Sequence, residues 1–260
     1  MTRDAWNPAQ YERFRDERTQ PFHDLMALVR RAPGMRVVDL GCGTAELTRR
    51  LHEALGARET LGIDASPAML ERARVRAGAG LRVEQGDIAD FRGDGAFDLV
   101  FSNAALHWVP AHEELFRRLA DALAPEGQLA VQVPANFDHP SHMLAAAVAA
   151  EEPFRGALGG VSHGDAVLAP EVYAGLLHRL GFRAQHVRLQ VYAHVLAEPA
   201  AVVEWVRGTL LTAYERRMPA ELFDAFLGRY RERLLAELGD ARPYLFTFKR
   251  ILLWGDRRSP

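Results

Sequence analysis

The stretch Val37-Val38-Asp39-Leu40-Gly41-Cys42-Gly43-Thr44, with Gly62-Ile63-Asp64 beyond it, constrains this chain more than any other. A short apolar run enters a pair of glycines, an amphipathic segment follows, and a second apolar run ends in a carboxylate. That order predicts a strand, a tight turn, a helix and a second strand, the first half of a nucleotide-binding βαβ unit. Gly41 and Gly43 allow the backbone to approach a ligand where a Cβ would collide. Asp64, at the end of the second strand, can accept both hydroxyl protons of a ribose.

The turn is wrong for a dinucleotide. Such a site wants a third small residue at position 46, where helix and strand close over a pyrophosphate. Here that residue is Glu46, whose carboxylate would repel it, and Asp39 adds a second negative charge at the strand end. An acidic glycine turn suits a cationic ligand. S-adenosylmethionine fits, with a ribose, an ammonium and a sulfonium but no phosphate.

Asp39-x-Gly41-x-Gly43, Asp64 and the later Gly86-Asp87-Ile88 resemble the class I S-adenosylmethionine-dependent methyltransferases, and the likeness extends from Phe97 to Val133. Within that superfamily three segments are similar to the trans-aconitate 2-methyltransferase family. They are Trp6-Asn7-Pro8-x-x-Tyr11, Phe101-Ser102-Asn103-Ala104-Ala105-Leu106-His107-Trp108-Val109-Pro110, and Val131-Gln132-Val133-Pro134-x-Asn136-Phe137-x-x-Pro140-Ser141-His142. The resemblance implies an α/β, Rossmann-like sheet of seven strands, mostly parallel with an antiparallel last strand, and a helical lid. It implies S-adenosylmethionine as cofactor and methyl transfer to a carboxylate of a small, trans-aconitate-like acid, forming a methyl ester. On that map residues 1–33 are a helical arm and 34–260 a methyltransferase domain with a helical insertion at about 196–240. Two alternatives stay open. One is methylation at carbon, nitrogen or phenolic oxygen; the other is a non-catalytic S-adenosylmethionine-binding protein.

Composition bounds the partners. A net charge of −2 gives no electrostatic footprint for nucleic acid or an anionic membrane, so a small-molecule acid substrate is the expected partner. Monomer and homodimer are equally compatible with the sequence. Cys42, the single cysteine, excludes an internal disulfide and reads as a small packing residue in the turn. No metal is expected, because His107, His112, His139 and His142 lack a compact ligand spacing. Residues 1–20 carry no apolar signal-peptide core, and no run approaches the ~18 apolar residues of a membrane span, which predicts a cytoplasmic protein.

The apolar pattern predicts a helical arm from Trp6 to Arg31, strands at Arg36–Leu40, Thr60–Ile63, Leu81–Glu84, Phe97–Ser102 and Gln128–Val133, and intervening helices. Ser66-Pro67 is an N-cap and first-turn signal, and Pro125-Glu126-Gly127 closes the helix that begins near Glu113. Further on, helices are expected at Met143–Glu152 and Glu171–Leu180, separated by a glycine-rich loop over Gly156 to Gly164. From Gln185 to Val195 the alternation sets Val187, Leu189, Val191, Ala193 and Val195 on one face and His186, Arg188, Gln190, Tyr192 and His194 on the other. This describes a half-exposed strand near a sheet edge. Helices over about Ala200–Tyr214 and Ala220–Leu238 precede a last strand, Tyr244–Trp254.

Asp39 is either a cap for the helix near Ala45 or an acceptor for the ligand's ammonium, the glycines and Glu46 favouring the second. Beside Asp64, Ala65 and Met69 are placed to wall the adenine. The resemblance sets Asp87 at the adenine amino group with Ile88 along the ring, a turn aspartate being the alternative. Asn103, at the end of strand four, can meet the methionine portion through its backbone or serve only as a turn residue. His107 and Trp108 fall on the acceptor side, where His107 can pair with an acidic substrate or be the base for an acceptor that needs one, Trp108 as a core plug under the following helix being the alternative. A polycarboxylate would require arginine partners. Candidates are Arg15 and Arg18 in the arm with Tyr11 nearby, Arg207 in the insertion, and Arg250 in the last strand. Thr212 stands where the family pattern has an arginine.

Overall fold

The computed structural model describes residues 15–159 and 166–258. Within them the chain divides into two compact units, one built on 18–135, 166–190 and 250–258 and the other on 136–159 and 191–249.

The first unit carries the predicted alternation. Its elements are α1 (Arg15–Met26), β1 (Arg36–Leu40), α2 (Glu46–Leu55), β2 (Glu59–Asp64), α3 (Pro67–Ala73), β3 (Leu81–Gln85), β4 (Phe97–Asn103), α4 (His112–Asp121), β5 (Leu123–Pro134) and α7 (Pro170–Arg179). With β6 (Ala184–Leu196) and β7 (Tyr244–Asp256) the strands form one seven-stranded sheet in the order β3-β2-β1-β4-β5-β7-β6. Pairs β1–β2, β2–β3, β1–β4 and β4–β5 are parallel, and β7 is antiparallel to β5. The order reverses between β1 and β4, where open α/β sheets bind ligands at the carboxyl ends of the strands. One sheet face packs Val100, Leu129, Val131, Val133 and Leu253 against Leu115, Phe116 and Leu119 of α4 and Tyr173 and Leu177 of α7, all buried. On the other face Phe22 of α1 meets Phe101 edge to face at 5.6 Å.

Several boundaries differ from expectation, each for a tertiary reason. α1 ends at Met26 instead of Arg31, because the Gln128 side chain takes both the N–H and the C=O of Arg30, each at 2.8 Å, out of helical bonding. β5 begins at Leu123, before Pro125-Glu126-Gly127, and its register on β4 shifts between Phe97 and Leu99. The three residues form a bulge within the strand, crowded enough that a Cβ on Gly127 would lie 3.0 Å from Leu123 and the Phe97 carbonyl. Ser66 does cap α3, accepting from the Met69 N–H at 3.3 Å.

The second unit has its own core, made by α5 (Pro140–Ala149), α6 (Phe154–Leu158), α8 (Ala200–Arg207), α9 (Thr212–Glu215), α10 (Ala220–Leu238) and the adjoining parts of β6 and β7. The helix expected to run to Tyr214 stops at Arg207, with Gly208 as its C-cap, and α6 occupies part of the expected glycine loop. Trp205, fully buried, packs edge to face on Phe246 at 5.5 Å, and the Tyr230 hydroxyl donates to the Ser141 carbonyl at 3.0 Å. β6 ends the sheet order, but its buried side is the polar-aromatic one: Tyr192, His194 and Leu196 are inside, while Val195 is 71% exposed. The His194 ring lies 4.7 Å from that of Trp205, so an aromatic core accepts the imidazole where an aliphatic one would not.

Candidate active site

The site follows from how the β1 turn is locked to β2. Asp64 reaches back across the turn: one carboxylate oxygen accepts from the Gly43 N–H at 2.8 Å and the other from the Ser66 N–H at 2.9 Å. A carboxylate can accept about four hydrogen bonds, so the oxygens that fasten the turn can also receive a diol. Gly41, Gly43 and Ala45 all have positive φ, at 83°, 56° and 56°. At Gly41 the collision that a Cβ would cause is with Ala105, at 2.2 Å, so this glycine is demanded by the protein's own packing. At Gly43 a Cβ would meet nothing within 4 Å among the described residues. Open space over a fixed N–H is what a ligand edge needs.

Cys42 is buried in the same turn, and a Cβ on Gly62 would come within 3.0 Å of its sulfur. Burial first, then Asp39 and Asp64, hold the thiol protonated. It packs. Glu46 lies in the first turn of α2 and pairs with Arg50 at 3.0 Å.

Asp39 is buried and accepts from the Thr48 hydroxyl at 2.6 Å. It therefore fastens α2 through its first turns, although not as an N-cap. Burial, with a smaller push from the Asp64 charge, raises its pKa to about 7 despite the Thr48 bond. Such a carboxylate sits on the border of ionisation and gains most from a nearby cation. A donor bearing an ammonium and a sulfonium supplies that charge, so the chemistry of the turn fits S-adenosylmethionine.

The other sequence candidates divide. Met69 is buried, Ala65 exposed and Ile88 partly buried, its Cδ1 within 3.7 Å of where a Gly41 Cβ would stand. Asp87 is exposed and closes its own turn by accepting from the Ala89 N–H at 2.8 Å. Asn103 ends β4, followed by Ala104 at φ 56°. His107 and Trp108 form a short 3-10 turn, Leu106–Trp108, with ring centroids 4.6 Å apart. That turn is held by His112, whose Nε2 donates to the Leu106 carbonyl at 3.0 Å. The His112 Nδ1 accepts from the Tyr173 hydroxyl, which itself receives the Leu168 N–H at 3.2 Å. Arg250 is buried on β7 opposite Pro134, with Nη1 donating to the Gln132 Oε1 at 3.4 Å. β7 is an interior strand, so this arginine is not an edge residue. Arg207 is half-buried in the last turn of α8, in the second unit. Tyr11 lies outside the described residues, as do the side chains of Arg15 and Arg18. Thr212 is buried with its hydroxyl bonded to the Thr209 carbonyl. Gln132, the side-chain partner of Arg250, was not among the sequence candidates; a polar residue between Val131 and Val133 in a buried strand was the available signal.

A model of the methyltransferase domain matches residues 37–127, the βαβ region and the strands beyond it. The trans-aconitate 2-methyltransferase of Deinococcus radiodurans is 44% identical over 97% of this chain and 98% of its own length. That of Variovorax paradoxus is 43% identical over 95% and 94%. The chain belongs to the trans-aconitate 2-methyltransferase family. It is an enzyme, and S-adenosylmethionine is its methyl donor. Among solved structures, an S-adenosylmethionine-dependent methyltransferase from Mesorhizobium loti is 25% identical with a TM-score of 0.52, covering 92% of this chain and 98% of that one. The YcgJ protein of Bacillus subtilis, 15% identical with a TM-score of 0.60 over 93% of this chain and 99% of its own, shares the fold. Among the described residues no group of three metal-ligating side chains converges, and no helix is long and apolar enough to cross a membrane.

Proposed function

We propose that this enzyme methylates a carboxylate of trans-aconitate, or of a closely similar small polycarboxylic acid, to give a methyl ester. The near full-length match to relatives of that name carries the reading. The buried guanidinium of Arg250, at the carboxyl end of β5, supplies the cation that such an acid needs.

When bound, S-adenosylmethionine supplies an electrophilic methyl on sulfur. In this reading Asp64 accepts from the ribose hydroxyls while still fastening Gly43, and Asp39 faces the ammonium. Ala65, Met69, Asp87 and Ile88 surround the adenine, Asn103 meets the methionine portion, and Gly41 and Gly43 form the floor. Arg250 binds the carboxylate that does not react, and His107 and Trp108 flank the acceptor. Tyr11, Arg15 and Arg207 are further candidates for binding it. A carboxylate with a pKa of ~4 is already ionised at neutral pH, so no general base is required. The protein's contribution is to align the attacking oxygen with the methyl and to exclude water. The division into an arm over 1–33 and a domain with an insertion at about 196–240 belongs to the same proposal.

The test is transfer of labelled methyl to a panel of small acids. Base-labile label on trans-aconitate is the expected result. Label that withstands base, or appears only on amines, phenols or carbon acids, would replace this reading with the corresponding methylation.

A further inference from the structure

Two glutamines stand on one face of β5, four residues apart, and the protein treats them differently. Gln128 is fully engaged: its Oε1 accepts from the Arg30 N–H at 2.8 Å and the Trp254 Nε1 at 3.0 Å, and its Nε2 donates to the Arg30 carbonyl at 2.8 Å. Gln132 is fully buried and only half engaged. Its Oε1 accepts from Arg250 at 3.4 Å, while its Nε2 has no hydrogen-bond partner among the described residues. The orientation is forced, because a guanidinium only donates and must face the amide oxygen. The NH2 group is thereby turned away from Arg250, with no acceptor for it among the described residues. An apolar residue would fill this interior strand without that penalty.

The position of the orphan matters. Gln132 pairs in register with Asn103 at the end of β4, so the two side chains leave the sheet on the same face. Asn103 Oδ1 is also buried without a hydrogen-bond partner among the described residues. Both lie at the carboxyl ends of the strands, beside the point where the strand order reverses.

We infer that Gln132 is a recognition residue for the methyl acceptor, its Nε2 donating to a carboxylate oxygen of a polycarboxylic acid whose charge is met by Arg250. The inference rests on the functional reading above and deepens it. Arg250 supplies charge; Gln132 fixes the direction of the carboxylate and keeps the guanidinium oriented through its own oxygen. A neutral donor beside the cation favours an anionic oxygen over an ammonium or an apolar group.

The experiment compares wild type with Gln132→Met and Gln132→Glu. Glutamate keeps an acceptor for Arg250, and so keeps the guanidinium partnered, but removes the donor. Initial rates are measured with trans-aconitate and with a monocarboxylic analogue, and donor affinity by calorimetry. Both variants are expected to raise KM for trans-aconitate by about 10- to 100-fold, the range for losing a hydrogen bond to a charged group. Glutamate should be the worse, through repulsion. Donor affinity should stay within about twofold and kcat within about threefold, and the KM penalty should shrink for the monocarboxylic acid. An active wild type with unchanged KM in Gln132→Glu overturns the inference alone. So does a penalty that is equal for both acids, or one that falls on donor binding. A wild type that turns over no polycarboxylic acid overturns the functional reading, and the inference with it.

Discussion

Replacing Asp39 with asparagine should change stability and donor binding in opposite directions. The side chain is 5% exposed, and its pKa stands at about 7 against an ordinary 3.8, chiefly through burial. A carboxyl group whose folded pKa is raised is stabilising relative to its ionised form below 3.8; that stability erodes as the pH climbs and is gone above about 7. The span from 3.8 to about 7, at about 1.36 kcal/mol per pH unit, amounts to about 4 kcal/mol, of which more than half falls between pH 5 and 8. Asparagine keeps an acceptor for the Thr48 hydroxyl, 2.6 Å away in the wild type, but does not ionise. The ligand-free Asp39→Asn protein should therefore gain about 5–10 °C in Tm over wild type on going from pH 5 to pH 8. At pH 8 the same variant should bind S-adenosylmethionine more weakly, by about 1.5–3 kcal/mol, having lost the charge opposite the ammonium. Differential scanning fluorimetry across pH and calorimetry at pH 8 give the two numbers. Parallel Tm–pH curves for the two proteins would refute the raised pKa, and unchanged affinity would remove Asp39 from the donor site.

Asp64→Ala should weaken donor binding by about 1.5–3 kcal/mol in calorimetry, with a folded protein as control; equal affinity would take Asp64 out of the site. Because Asp64 also holds the Gly43 and Ser66 N–H groups, Asp64→Asn, which keeps an acceptor oxygen, should retain more of the binding. His107→Ala should leave kcat within about tenfold for a carboxylate acceptor, whereas loss of a general base costs about 10²–10⁴-fold. A loss in the larger range, with donor binding intact, would favour an acceptor that must be deprotonated. Arg250→Ala should chiefly raise KM for the polycarboxylic acid, and Arg250→Lys should restore it only in part, lacking the planar fork. Unchanged kinetics in both would move the anion site to Arg15, Arg18 or Arg207.

The sequence by itself determined the parts of this protein whose physics is local. Asp39-x-Gly41-x-Gly43 with Asp64 specified a tight glycine turn between two strands, the second ending in a carboxylate, and the charges of Glu46 and Asp39 argued against a pyrophosphate ligand. Ser66-Pro67 marked a helix start because cap and first turn are set by neighbours in the chain. Tertiary structure decided what depends on partners distant in sequence. The alternation of β6 defined two faces, but only Trp205 and Phe246 determined that Tyr192 and His194 go inside. Gln128 ends a helix about a hundred residues away by taking the Arg30 backbone, a contact no local pattern encodes. Gln128 and Gln132 are indistinguishable as letters in an apolar strand. One is satisfied by Arg30 and Trp254 and the other keeps a buried donor beside Arg250, because hydrogen-bond satisfaction is a property of the assembled neighbourhood and not of the residue.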